Sequence, residues 1–224
     1  MPRGRAPGYD MQREQILARA ADLFARQGYQ GTSMNGVAEA CGVSKAALYH
    51  YVADKYQLLV EIAEGHIDRL RALLDEDRGA ADVPPEARLR DLIARFMTAY
   101  ADAQAQHRVL TEDVKFLKPA DRRRILDGER QVVDAFARAV AAARPDLGAA
   151  GLQKPLTMLL FGMMNWMFTW LRPGGALAHA DMTPVVADLF FGGLPAVRLP
   201  PRLTNADTSD PASRSRARAS RVTA

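Results

Sequence analysis

Residues Thr32 to Tyr51 read TSMNGVAEACGVSKAALYHY, and this stretch constrains the fold more than any other. Met34, Val37, Ala38 and Cys41 share one face of a short helix. Gly42 supplies a turn, since a residue without Cβ takes positive φ at little cost. Val43 precedes Ser44, an N-capping residue type, and Leu48 falls at the fourth helical position. Packing of Val43 on Leu48 fixes the angle at which the second helix starts. Two short helices hinged at a glycine form a helix-turn-helix, here about residues 33–52.

Helical spacing dominates the remainder, and no alternating strand pattern stands out. Ile16, Leu17, Ala20, Leu23 and Phe24 line one face of a helix over Met11 to Gln27, and Gly28 is placed to end it. Asp54 and Gln57 form a capping pair for a helix reaching about Asp77. A linker with Gly79, Pro84 and Pro85 follows. Long helices are expected near Glu86 to Gln106, Ala120 to Ala143 and Leu152 to Leu171, with a shorter segment over Val109 to Leu117. Thr183 and Pro184 carry the N-cap and N1 signature of a last helix, ending near Gly192 and Gly193. The expected organisation is all-α: a DNA-binding unit over 10–70, a second helical domain over 84–195, and a disordered basic tail over 200–224.

Charge needs local reading. The net charge is +4, but the tail from Pro200 holds five arginines and two aspartates, leaving the body close to neutral. Net charge therefore does not speak for nucleic-acid binding by the body. The single cysteine, Cys41, forms no intrachain disulfide and fits a reducing compartment. Met1 to Asp10 has no apolar stretch of the secretory kind. The longest apolar run, Leu156 to Leu171, is shorter than the ~20 residues of a membrane span, so a cytoplasmic protein without a membrane partner is expected.

The second helix of the helix-turn-helix leaves Lys45, Ala46, Tyr49 and His50 exposed when Leu48 turns inward. A small Ala46 permits close approach to base edges, and Lys45 reaches a phosphate or a guanine. Tyr49, His50 and Tyr51 offer donors to phosphate. Free N–H groups at helix starts near Thr32, Ser33, Ser44 and Lys55 add more. There is no phosphate-cradling glycine loop, no nucleophile paired with a base, and no metal-ligand spacing among His66, His107 and His179. Catalytic and metal residues are accordingly none, and the histidines read as surface or core residues.

From Arg13 to Leu59 the chain closely resembles the TetR family of regulators. The resemblance rests on Ile16, Ala20, Phe24, Gly28, Tyr29, Gly31-Thr32-Ser33-Met34, Val37-Ala38, Gly42-Val43-Ser44, Leu48-Tyr49, Tyr51, Lys55 and Leu58. Cys41, Val52 and Gly36 depart from the usual alanine, phenylalanine and charged residue. The resemblance implies a homodimer on a pseudo-palindromic double-stranded DNA operator and a small-molecule effector bound by the C-terminal helical ligand-binding and dimerisation domain. The stretch Phe161 to Ala178, FGMMNWMFTWLRPGGALA, is similar to members serving lipid and aromatic catabolism. That implies a repressor with no cofactor, relieved by an acyl- or aryl-CoA thioester. A drug-responsive repressor of an efflux pump is the alternative, with Glu112 and Asp113 as pocket acids.

For the ligand pocket the candidates are Phe96, Tyr100, Phe116, Met163, Trp166, Trp170 and Arg172. Trp166 and Trp170 suit core or dimer interface as well as a pocket wall. Arg122, Arg123 and Arg124 suit CoA phosphates or a solvated face.

Overall fold

The computed structural model describes residues 8–75, 83–171 and 174–196. All regular structure among them is helical. Helix α1 spans Tyr9–Gly31, α2 Met34–Ala40, α3 Lys45–Leu48 and α4 Lys55–Asp75. The second unit contains α5 Pro85–Asp102, α6 Gln104–Glu112, α7 Pro119–Ala143, α8 Pro145–Ala149, α9 Gln153–Asn165 and α10 His179–Gly193, with 3-10 turns at Val114–Phe116, Met167–Thr169 and Leu194–Ala196.

Punctuation residues set most of these limits. Gly28 interrupts α1 with φ of 76°, and only the three residues after it continue as a last turn. Pro85, Pro119 and Pro145 each start a helix at the position where a missing N–H costs nothing. Asp54 caps α4 by accepting from the Gln57 N–H at 2.7 Å. The Gln57 side chain reaches one residue further back than a simple capping box, taking the Ala53 N–H at 2.6 Å.

α4, α5, α6, α7 and α9 enclose the second core, with α1 resting on α4 and α6, and α10 on α5. Ile125, Val132, Phe136 and Val140 turn inward from α7. Burying each large apolar side chain contributes roughly 1.5–3 kcal/mol. Gly128 lets α4 come close, since a Cβ there would sit 2.8 Å from Ile67 Cγ1.

Several expected limits need correction. The helix begun at Pro85 stops at Asp102, where Ala103 breaks the spiral, and the next helix starts at Gln104 rather than Val109. α9 stops at Asn165, six residues before Leu171, and tightens into a 3-10 turn. The last helix begins at His179, with Asp181 taking the Ala178 N–H at 2.7 Å, so Pro184 lies inside it and not at its start. α8 has no counterpart in the expectations. The tail over 200–224, most of the linker and Arg172 lie outside the described residues.

Candidate DNA interface and effector cavity

Each helix of the 33–52 segment is started by a serine. Ser33 Oγ accepts from the Gly36 N–H at 3.1 Å, and Ser44 Oγ accepts from the Ala47 N–H at 3.1 Å. Such caps are worth about 1 kcal/mol each. Gly42 has φ of 64° between them. Val37 and Leu48 are fully buried beneath the pair, which fixes α3 with its opposite face outward.

That outward face carries Lys45, Ala46, Tyr49 and His50, all exposed. α3 itself is one turn long, and Tyr49 to Tyr51 continue it as turns through His50 N–H to Ala47 O and Tyr51 N–H to Leu48 O, at 3.1 and 3.0 Å. Tyr51 is half-buried. Its ring stacks on Tyr9 at 4.9 Å, while the Tyr9 hydroxyl donates to His50 O at 3.3 Å. The start of α1 thus braces the end of the exposed turn.

Thr32 and Lys55 point elsewhere. Thr32 is buried, and its hydroxyl donates to Gly28 O at 3.0 Å. The Lys55 ammonium donates to Tyr29 O and Thr32 O, both at 2.8 Å, and to Gln30 O at 3.4 Å, and lies 4.5 Å from the Tyr29 ring centroid. It satisfies the terminal carbonyls of α1, where a cation also suits the helix dipole. In this arrangement its charge ties α1 to α4 and is not presented to an anion outside.

The C-terminal unit contains a cavity of about 190 Å³. Apolar walls come from Ile67 and Leu70 of α4, Leu110 of α6, Val132 and Val133 of α7, and Phe161 of α9. Tyr100, His107, Thr111, Glu129 and Asn165 add polar groups. Behind the wall, His66 Nε2 lies 3.3 Å from His107 Nδ1, and the Tyr100 ring stacks on His107 at 3.9 Å. Burial pushes both imidazoles down, to about 3 for His66 and about 4 for His107, with His107, Arg69 and His179 as further causes. Burial also raises the Glu129 carboxyl.

Of the described residues nominated for a pocket, Tyr100 alone lines this cavity. Phe96 is fully buried, edge-on to Tyr100 and Phe136. Phe116 lies 5.4 Å from the Tyr29 ring, against the DNA-binding unit. Met163 is half-buried, while Trp166 and Trp170 are 62% and 50% exposed, which puts them on the surface of this chain. Glu112 pairs with Arg108 on the surface, and Asp113 is buried beside Tyr29. Arg124 pairs with Glu64 and Asp121, both at 2.7 Å, and Arg122 and Arg123 are exposed. Sequence reasoning missed His66, His107, Glu129 and Asn165 as neighbours. A histidine on each of two amphipathic helices was the available signal, but 41 residues separate them.

Among the described residues no helix is long and apolar enough to cross a membrane, and no cluster of His, Cys, Asp or Glu is suited to a metal ion.

Residues 16–62 match the family described as bacterial regulatory proteins, tetR family, and residues 82–194 match the tetracyclin repressor-like C-terminal domain. The chain belongs to the TetR family. A TetR-family transcriptional regulator from Bordetella parapertussis is similar over 83% of this chain and 97% of its own, at 30% identity and a TM-score of 0.76. The HTH-type transcriptional repressor KstR2 of Mycolicibacterium smegmatis is 24% identical over 81% of this chain and 90% of its own length. AibR, solved with isovaleryl coenzyme A and operator DNA, shares the fold at 24% identity and a TM-score of 0.67, over 80% of this chain and 97% of its own. The TetR-family assignment makes this chain a regulator of transcription and not an enzyme.

Proposed function

We propose that this TetR-family protein is a homodimeric repressor that leaves its operator when the acyl end of a CoA thioester enters the cavity. The observation that carries the reading is the position of α6. His107, Leu110 and Thr111 of this helix line the cavity, the same helix packs along α1, and just past its end the Phe116 ring lies against Tyr29. Tyr29 in turn supplies the first of the Lys55-bound carbonyls that lead into α2. A ligand that displaces α6 therefore acts directly on the root of the helix-turn-helix. Release follows only if the ligand prefers the displaced arrangement.

Lys45, Ala46, Tyr49 and His50 supply the groove-facing surface, with phosphate contacts from the N–H groups at the starts of α2 and α4. Two such surfaces must sit one helical turn apart, ~34–36 Å, or a multiple, to read one face of DNA. The second copy fits the outer face of α9 and α10. Met158 and Leu159 of α9, Trp166 just after it, and Val185 and Leu189 of α10 are exposed between 43% and 67%. An apolar surface of this kind marks a contact, and a two-fold dimer buries the same patch twice.

A thioester effector is supported by the KstR2-like sequence and by the likeness to AibR, which was solved with isovaleryl coenzyme A. The relatives do not favour the efflux-pump alternative, and the two acids nominated for it, Glu112 and Asp113, lie outside the cavity. The test is fluorescence anisotropy of DNA from the gene's own upstream region, titrated with acyl- and aryl-CoA thioesters. Release at micromolar thioester supports the reading. Retention of DNA with every thioester overturns the effector class.

A further inference from the structure

We infer that the cavity is shaped for a small, uncharged group that carries a hydroxyl, so that a hydroxylated effector is preferred over a plain hydrocarbon one; this rests on the reading of the cavity as the effector site. Size comes first. The volume is about 190 Å³, against the ~150 Å³ of engineered apolar cavities that take up benzene. A single ring or a short branched chain fits.

The polar atoms then select among groups of that size. His107 is 5% exposed, and its Nε2 has no hydrogen-bond partner in the protein; the Asn165 Oδ1 in the same wall has none either. His107 Nδ1 is occupied by His66 Nε2 at 3.3 Å. If His66 donates in that contact, His107 carries its proton on Nε2 and presents a donor. If His107 donates, Nε2 is left as an acceptor. Asn165 Oδ1 only accepts. A hydroxyl donates one hydrogen bond and accepts others, so it serves Asn165 and the Nε2–H tautomer of His107 together, and with the other tautomer its one hydrogen serves either acceptor. A ketone serves only one tautomer and not Asn165, and a hydrocarbon serves neither atom.

Charge sets the last condition. Among the described residues no lysine or arginine lines the cavity, and Glu129 does. Burial keeps both imidazoles neutral. A carboxylate brought in here meets no cation and one acid, so the ligand's buried end is uncharged.

The experiment uses the full-length protein in calorimetric and thermal-shift titrations with two matched pairs. One pair is isovaleryl-CoA and 3-hydroxy-3-methylbutanoyl-CoA; the other, free of CoA, is toluene and p-cresol. Succinyl-CoA tests the charge condition. In each pair that binds, the hydroxylated member is expected to bind about tenfold more tightly, as one satisfied buried hydrogen bond allows. Asn165→Leu and His107→Gln should shrink that ratio, with affinity for the hydrocarbon probe unchanged or higher after Asn165→Leu. The wild-type ratios stand by themselves if a variant fails to fold. If no thioester binds but p-cresol exceeds toluene, the thioester reading fails and this inference survives. If isovaleryl-CoA binds as well as its hydroxylated partner, the thioester reading survives and this inference falls. Tight succinyl-CoA binding, or no binding by any probe, also overturns it.

Discussion

Replacing Lys55 with methionine keeps most of the aliphatic stem and removes the ammonium. The structure assigns that ammonium two hydrogen bonds of 2.8 Å, to Tyr29 O and Thr32 O. A hydrogen bond to a charged group contributes about 1.5–3 kcal/mol. The two share one half-exposed charge, and the freed carbonyls at the surface turn to water, so a loss near 2 kcal/mol for the variant is the working figure. For a chain of this length 1 kcal/mol moves Tm by about 2–4 °C, giving a fall of about 4–8 °C. The assay is thermal denaturation at fixed protein concentration, since in the proposed dimer Tm depends on concentration. DNA affinity should fall as well, through a loosened start of α2, with the salt dependence of binding nearly unchanged. A phosphate contact would behave in the opposite way: no change in Tm, and a salt slope smaller by about 1. That second pattern would falsify the clamp.

Lys45→Ala should weaken binding to its operator, and a drop of about 1 in the salt slope would mark a phosphate contact, whereas an altered base preference would mark a base contact; no change in either removes Lys45 from the interface. Ser44→Ala should cost about 1 kcal/mol in urea unfolding and weaken operator binding, because the cap starts a helix only one turn long. Gly128→Val should lower Tm by several degrees, since its Cβ would meet Ile67 Cγ1 at 2.8 Å, while Gly65→Ala, with nothing within 4 Å, should raise stability by about 0.4–1 kcal/mol. The depressed imidazoles give stability a pH dependence. The unfolded chain protonates near 6.5 while the folded pair stays neutral to about 4 and 3, so the unfolded state holds more protons in between. Stability is full above that range and declines as pH falls below 6.5; a His66→Asn, His107→Asn double variant should show a flatter Tm profile from pH 4 to 7, and an unchanged slope would contradict the assignment.

The N-terminal unit was legible because its limits are set locally. Gly28, Ser33, Gly42, Ser44 and Asp54 each dictate a backbone event with their own side chain, or the lack of one. The C-terminal unit was legible in class and blurred in detail. The break at Ala103 has no glycine or proline to announce it, so α5 and α6 read as differently divided segments. The stripe of Met163, Trp166 and Trp170 signals an apolar face but not what covers it, and in this chain the two tryptophans face outward. The cavity was hidden for another reason. Its walls come from α4, α5, α6, α7 and α9, and its polar character from side chains far apart in sequence that each pass as ordinary core residues. Phe96 and Phe116, by contrast, are aromatic enough to suggest a pocket and instead pack in the core and against Tyr29.

The shortness of α6 has an evolutionary consequence. Nine residues at about 1.5 Å each make a strut of roughly 14 Å with sensing groups along it and the contact to Tyr29 just beyond its far end. Other walls, among them Val132, Val133 and Phe161, belong to α7 and α9. With an effector in the cavity as proposed, substitutions at these positions retune which metabolite is admitted without touching the strut, so a lineage carrying this scaffold can acquire a new chemical signal while keeping its target sequence on the chromosome.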